Sequence, residues 1–272
     1  MDYNQYTYSA ARSILAYRPF DVVRSVWQKK DASKLSYALF EHVDMEPIFF
    51  NDDATSAQGF SYVQGRVMYI TFRGTQERHD IMVDIDTMLE SFFPTEKKKI
   101  RVHQGFLKQF RALEPAITKE IERCSIDTIT FSGHSLGAAL ATVAAAYYGY
   151  KYKGSPAIIC HTFGCPRVGN THFMELFQTY VHEHARITNE KDPVPIIPVS
   201  GSFTHTSHSI TVNDAHDIRV LHDVPWYWRI FYFPFQIDYT APIKHHSCVL
   251  YLERMMYFAK IKIDFADLLQ HD

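Results

Sequence analysis

The spacing of apolar residues predicts two helices at the start of the chain and then a change to strands. The second helix is expected over Ser33–His42. The first is indicated by apolar residues that recur every three or four positions, which is typical of one helical face: Tyr3, Tyr6, Ala10, Ile14 and Tyr17. Short runs rich in β-branched and aromatic residues then predict three strands, with a tight turn at Gln64-Gly65 before the last of them: Pro47–Asn51, Gly59–Val63 and Arg66–Phe72.

The rest of the chain alternates between helical and strand patterns. A helical pattern runs from Phe106 to Ile121, and Pro115 is expected to kink or restart it. Predicted strands and helices then follow in this order: strand Thr128–Ser132, helix 136–148, strand Ala157–Phe163, helix Thr171–Tyr180 and strand Ala185–Thr188. Such alternation predicts an α/β fold with a mostly parallel central sheet flanked by helices.

Composition narrows the class of protein. The chain has 272 residues, of which 46% are hydrophobic, and a net charge of -2. We therefore expect a single domain over residues 1–272 and no nucleic-acid partner. The four cysteines are scattered, and neither a signal peptide nor a membrane-spanning run is evident, so an intracellular, cytoplasmic protein is expected.

The most informative motif is Gly133-His134-Ser135-Leu136-Gly137, which fits G-x-S-x-G. A predicted strand enters it and an alanine-rich helix leaves it, as in a nucleophile elbow. The sharp turn exposes the hydroxyl of Ser135, and the N–H of Leu136 begins the helix, where it can donate to an oxyanion. The motif predicts a serine nucleophile.

A nucleophilic serine needs a base, and the base needs a carboxylate. In folds with a nucleophile elbow, the carboxylate follows the serine in the chain and the histidine follows the carboxylate. Asp192 lies after a predicted strand and before two prolines, and it is favoured over Glu190. The chain contains fifteen histidines, so the base is harder to assign than the acid. His246, which opens the last amphipathic segment, is favoured, with His245 as the alternative.

These motifs resemble those of the class 3 lipases, a family that includes fungal triacylglycerol lipases and plant phospholipase A1-type enzymes. Similar segments span roughly residues 60 to 200: Tyr69–Thr75, Val102–Phe106, Phe131–Leu140, Thr162–Asn170 and Asn189–Pro195. His246-Ser247 with Tyr251 resembles a terminal motif of the family, although His245 replaces its usual aspartate. The resemblance implies Asp192 as the acid, His246 as the base, and an oxyanion hole built from Thr75 and Leu136.

The resemblance also implies a helical lid, here at approximately 76–101. The apolar face expected for this lid and for substrate contact consists of Met82, Ile85, Leu89 and Phe92. Trp226 and Trp228, in a stretch of aromatic residues, are candidates for an acyl-binding wall or an interfacial anchor, or alternatively for core packing. Basic residues beside the lid are compatible with peripheral membrane contact.

These features predict a serine carboxylic-ester hydrolase that acts on lipid esters, either acylglycerols or phospholipids, without a metal or an organic cofactor. The histidine pairs His182-x-His184 and His205-x-x-His208 lack a convincing third metal ligand. The alternative from a different class is a catalytically silent hydrolase fold that binds lipids or partner proteins.

Overall fold

The structure is a computed structural model of the chain. It describes residues 1–29, 31, 33–43, 45–75, 88–93, 99–206, 209–221 and 243–269. Its helices are α1 Tyr3–Leu15, α2 Phe20–Lys29, α3 Leu35–Phe40, α4 Gln104–Arg123, α5 Leu136–Tyr152, α6 Thr171–Tyr180 and α7 Cys248–Ala259. Its strands are β1 Ile48–Asp52, β2 Ala57–Gln64, β3 Val67–Phe72, β4 Leu89–Ser91, β5 Arg101–His103, β6 Thr128–His134, β7 Ala157–Phe163, β8 Glu183–Asn189, β9 Ser209–Val212 and β10 Ile218–Leu221.

Eight of these strands form one mixed sheet in the order β1-β2-β3-β6-β7-β8-β9-β10. The pairs from β3 to β9 are parallel, whereas β1-β2, β2-β3 and β9-β10 are antiparallel. Because β3, β6, β7 and β8 run in the same direction, their carboxyl ends meet at one edge of the sheet. In α/β folds this edge is where ligand sites form.

Helices cover both faces of this sheet. The helices α4, α5 and α6 bury one apolar cluster, and α1, α2, α3 and α7 bury the other. The central helix α5 is apolar on nearly all sides, with a continuous fully buried run from Ala138 to Leu140, because it packs between the sheet and its neighbours. The mostly parallel α/β sheet that the sequence predicts is the architecture observed.

Two predictions about the elements need correction, and one helix was missed. Pro115 does not restart the helix, because α4 continues through it while Leu113 and Ile117 stay buried on either side. The helix α2 was not predicted. Leu89 lies in a strand that pairs with β5, and Phe92 packs in the core against Phe173. The prediction that Leu89 and Phe92 belong to a lid helix is therefore wrong.

The described residues include no helix long and apolar enough to cross a bilayer. No disulfide links the four cysteines, all of which lie among the described residues.

The first helix is fixed to the sheet by buried polar contacts. Ser9 Oγ lies 2.9 Å from Nδ1 of His161 on β7, and Arg12 Nε donates to the Tyr62 hydroxyl at 2.8 Å. Glu183 lies 3.6 Å from Nε2 of the same imidazole. Burial lowers the pKa of His161 and Arg12 lowers it further, which together outweigh the opposite effects of Glu183 and Asp2.

This lowered pKa of His161 predicts that acid weakens the docking of α1. The unfolded chain takes up a proton near pH 6.5 that the folded state resists, so stability falls as the pH drops below about 6.5. One such proton contributes a slope of at most about 1.4 kcal/mol per pH unit. In chemical denaturation between pH 8 and 5.5, His161→Gln should show a shallower loss of stability than the wild type. Equal slopes in His161→Gln and in the wild type would contradict the prediction.

Candidate active site

The turn between β6 and α5 has the geometry of a nucleophile elbow. Ser135 adopts φ 60° and ψ -127°, a strained conformation for a residue with a side chain. A Cβ atom on Gly133 would lie 2.3 Å from the carbonyl oxygen of Gly137, and one on Gly137 would lie 2.3 Å from that of Phe72. Only glycine at both positions allows the strand, the turn and the helix to approach this closely.

Two backbone segments lie where an oxyanion hole is expected. Leu136 is the first residue of α5, so its N–H has no partner within the helix and lies at the positive end of the helix dipole. The other segment, which leads to Thr75, leaves β3 where Phe72 pairs with Gly133. A Cβ on Gly74 would lie 2.7 Å from the carbonyl oxygen of His134, so this segment packs directly against the elbow.

The predicted acid, Asp192, is buried and holds the predicted base. Its Oδ2 lies 2.8 Å from Nδ1 of His246, and both side chains are almost completely inaccessible to solvent. Its Oδ1 accepts the N–H of Val194 at 2.9 Å, which fixes the carboxylate in the rigid turn at Val194–Ile196. A buried carboxylate with this geometry holds the imidazole in one tautomer with Nε2 available for chemistry.

Sequence reasoning did not find the contact between Tyr251 and the acid. The Tyr251 hydroxyl donates to Asp192 Oδ2 at 2.6 Å and accepts the N–H of Asn189 at 3.0 Å. Burial, and then the negative charge of Asp192, raise the pKa of Tyr251 well above its ordinary value, so it stays a neutral donor. Its place on the buried face of α7, five residues after His246, was the available signal.

The predicted base lies beside the serine. The His246 ring packs at a tilt against that of His134 with centroids 4.4 Å apart, and it also lies against Gly164. The N–H of Ser135 donates to the carbonyl of Phe163, the residue before Gly164, at 3.0 Å. His246 thus contacts the residue before Ser135 and the residue after Phe163, the backbone partner of Ser135.

The last link of the predicted triad is not formed in this structure. Ser135 Oγ and His246 Nε2 are both buried, and within the described part of the chain neither has a hydrogen-bond partner. Serine–histidine bonds are often long or misaligned before substrate binds and shorten in the reacting complex.

The alternative acid, Glu190, and the alternative base, His245, have other side-chain partners. Glu190 is substantially exposed and accepts a bond from Arg219 Nη1 at 3.1 Å. The backbone carbonyl of His245 accepts from Asn189 Nδ2 at 2.9 Å, while its ring lies 3.9 Å from Asp214. Burial lowers the pKa of the His245 ring despite the opposing effect of Asp214. The side-chain partners of the two alternatives are therefore Arg219 and Asp214, neither of which belongs to the acid–base pair.

The other predicted substrate contacts divide between two groups. Leu89 and Phe92 are placed as described above. The other group lies outside the described residues: Met82, Ile85, Trp226 and Trp228.

No group of three or more potential metal ligands occurs within the described ranges.

Gly164 offers a sharp test of the acid–base pair because it lies against both members at φ 58°. A Cβ there would lie 2.8 Å from Asp192 Oδ2 and 2.9 Å from His246 Nδ1. Gly164→Ala should therefore lower kcat about 100-fold and destabilise the fold by about 1–3 kcal/mol.

Gly65→Ala is the matched control, since Gly65 has φ 60° and open space around it. Ester hydrolysis and thermal unfolding should show a stability loss in both variants but an activity loss only at position 164; full activity in Gly164→Ala would contradict the packing described.

Comparison with known proteins agrees with this geometry. The closely packed strand–turn–helix at Ser135 and the mostly parallel sheet define an α/β-hydrolase fold. Residues 69–201, just under half of the chain, match the family model described as Lipase (class 3). A triacylglyceride lipase of Rhizomucor miehei shares the fold with a TM-score of 0.70 and 20% identity, over 89% of this chain and 92% of that one.

Two sequence relatives carry lipase or phospholipase names. A secreted mono- and diacylglycerol lipase of Fusarium solani is 37% identical over 111 residues, which is 39% of this chain and 32% of the relative. Phospholipase A1-II 4 of Oryza sativa subsp. japonica is 32% identical over 174 residues, which is 54% of this chain and 44% of the relative. The chain thus spans about a third of the first relative and less than half of the second.

Proposed function

We propose that this protein is a serine carboxylic-ester hydrolase that acts on lipid esters, either acylglycerols or phospholipids. The observation that carries the proposal is the buried contact between Asp192 Oδ2 and His246 Nδ1 at 2.8 Å, beside a strained serine at the start of a helix. Structural histidines are common, but one fixed by a buried carboxylate beside a nucleophile elbow is the arrangement that acyl transfer requires. The match of residues 69–201 to the class 3 lipase model supports a lipid ester over other esters.

The proposed reaction has two steps. His246 Nε2 takes the proton of Ser135 as Oγ attacks the ester carbonyl, and the oxyanion accepts bonds from Leu136 N–H, Thr75 N–H and the Thr75 hydroxyl. The protonated imidazole, stabilised by Asp192, gives the proton to the departing alcohol and leaves an acyl group on Ser135. Water activated by His246 then releases the carboxylic acid and restores the serine.

Substrate must reach a serine that is only 1% exposed. We propose that the amphipathic sequence around Met82 and Ile85 covers the site and moves at a lipid surface, where its apolar residues gain partners. We also propose that Trp226 and Trp228 contribute an acyl-binding wall or interfacial anchor. Peripheral membrane contact and an intracellular location remain part of the proposal, the latter because no cysteine pairs in a disulfide. The Fusarium relative is named as secreted, so fractionation of tagged protein is the relevant test of location.

A substrate panel with purified protein tests the proposed function. It should contain emulsified triacylglycerol and diacylglycerol, phosphatidylcholine vesicles and soluble p-nitrophenyl butyrate, each with wild type and Ser135→Ala. We expect fatty acid release from at least one lipid ester, at a rate that rises sharply when the lipid forms an interface, and none with Ser135→Ala. No release from any ester would overturn the proposal in favour of a catalytically silent module.

A further inference from the structure

We propose that Tyr17 is a positioning residue for the reaction, which couples the N-terminal helix to the oxyanion segment and to the base. The inference rests on the proposed function. Tyr17 lies two residues beyond α1, outside every motif by which the sequence resembles its family. Its hydroxyl nevertheless reaches the carboxyl edge of the sheet, where the predicted catalytic groups meet.

The hydroxyl of Tyr17 contacts two segments at this edge. It lies 2.8 Å from Nδ1 of His134, the residue before the nucleophile. It also lies against Gly74, the residue before Thr75, because a Cβ on Gly74 would be only 2.1 Å from the Tyr17 oxygen. One hydroxyl group thus touches both the elbow and the segment that is expected to donate to the oxyanion.

The partner of Tyr17 in turn contacts the base. The rings of His134 and His246 are tilted at 35° with centroids 4.4 Å apart, and the His134 centroid lies 5.7 Å from that of Tyr251. The hydrogen bond between the Tyr17 hydroxyl and Nδ1 fixes the orientation of the His134 ring, and that ring lies against His246. Tyr17 therefore acts on the base through His134.

The helix that precedes Tyr17 is itself held firmly. Ala10, Ala11 and Leu15 are fully buried, and the buried bonds of Ser9 and Arg12 tie the helix to the sheet. The N–H of Tyr17 donates to the carbonyl of Ile14 at 3.0 Å, so the residue continues from the helix end in a defined turn. A side chain supported in this way can hold the reacting groups to within the fraction of an ångström that catalysis needs.

Tyr17→Phe in the full chain tests the proposal, because it removes the hydroxyl and keeps the ring. With p-nitrophenyl butyrate we expect kcat to fall about 10-fold with KM unchanged. The inhibition constant of an alkyl trifluoromethyl ketone, whose adduct on serine carries an oxyanion, should rise by the same factor by which kcat/KM falls. Tyr8→Phe is the matched control and should behave as the wild type, because Tyr8 lies on α1 and packs against the same apolar cluster as Tyr17.

A double-mutant cycle with His134→Phe separates positioning from general damage. Tyr17→Phe should slow the His134→Phe variant by much less than the 10-fold by which it slows the wild type, because the bond to His134 is already broken and only the contact with Gly74 is left to lose. Tyr17→Phe activity within twofold of wild type, a change in KM alone, or an unchanged ketone inhibition constant would overturn the inference and leave the proposed function intact. A wild-type protein that neither hydrolyses the ester nor binds the ketone would instead overturn the proposed function.

Discussion

Replacing His246 with alanine is expected to lower kcat/KM for a carboxylic ester by at least about 10⁴-fold. The variant removes the base while Asp192 keeps its bonds from Tyr251 and Val194, so the acid loop should hold its shape. The matched control is His245→Ala. Its backbone carbonyl, which accepts from Asn189, is kept in the variant, so activity should stay within about threefold of wild type, an allowance of less than 1 kcal/mol.

Initial rates with p-nitrophenyl butyrate, with folding checked by circular dichroism, distinguish the two histidines. A large loss in His245→Ala together with activity in a folded His246→Ala would contradict the assignment of the base.

Asp192→Asn is the second large effect and should lower kcat about 10⁴-fold. The carboxylate now accepts three bonds: Oδ2 from His246 and Tyr251, and Oδ1 from Val194. An asparagine must turn its amide group toward one of these positions. If the NH₂ group faces His246, it favours the tautomer in which Nδ1 carries no proton. If it faces Val194, the NH₂ group and the backbone N–H of Val194 are two donors placed against each other. In both cases the negative charge that stabilises the imidazolium is lost.

Glu190→Gln is the natural control for this variant, since Glu190 is exposed and pairs with Arg219. It should retain activity within about twofold, as expected for loss of a surface ion pair. The pH profile of kcat should be measured for both variants. If Glu190→Gln loses more activity than Asp192→Asn, the assignment of Asp192 as the acid is wrong.

The parts of the site that the sequence predicted are those in which local pattern determines geometry. The glycines at 133 and 137 and the shift from strand to helix specify an elbow, because only that turn needs glycine at both positions. The carboxyl ends of β6, β7 and β8 follow from their parallel pairing, which puts Ser135, Gly164 and Asp192 at one edge.

The parts that the sequence did not predict depend on contacts between distant segments. Tyr251 lies on α7, Tyr17 just beyond α1 and His161 on β7. The apolar spacing of these elements is the same whether or not a hydroxyl or an imidazole finds a polar partner. The lid prediction was wrong at Leu89 and Phe92 for a related reason. A short run of apolar residues fits a helix face as well as it fits a strand followed by a core residue, and only pairing with β5 decides between them.

The central claim is that Ser135 is the nucleophile activated by His246 and Asp192. Labelling with a fluorophosphonate, followed by peptide mass mapping, measures this most directly, because the reagent reacts only with a serine whose proton can be removed. We expect one adduct per chain on Ser135 in the wild type, and labelling slowed by orders of magnitude in His246→Ala but unaffected in His245→Ala. An adduct on another serine, or ester hydrolysis that persists in Ser135→Ala, would contradict the account.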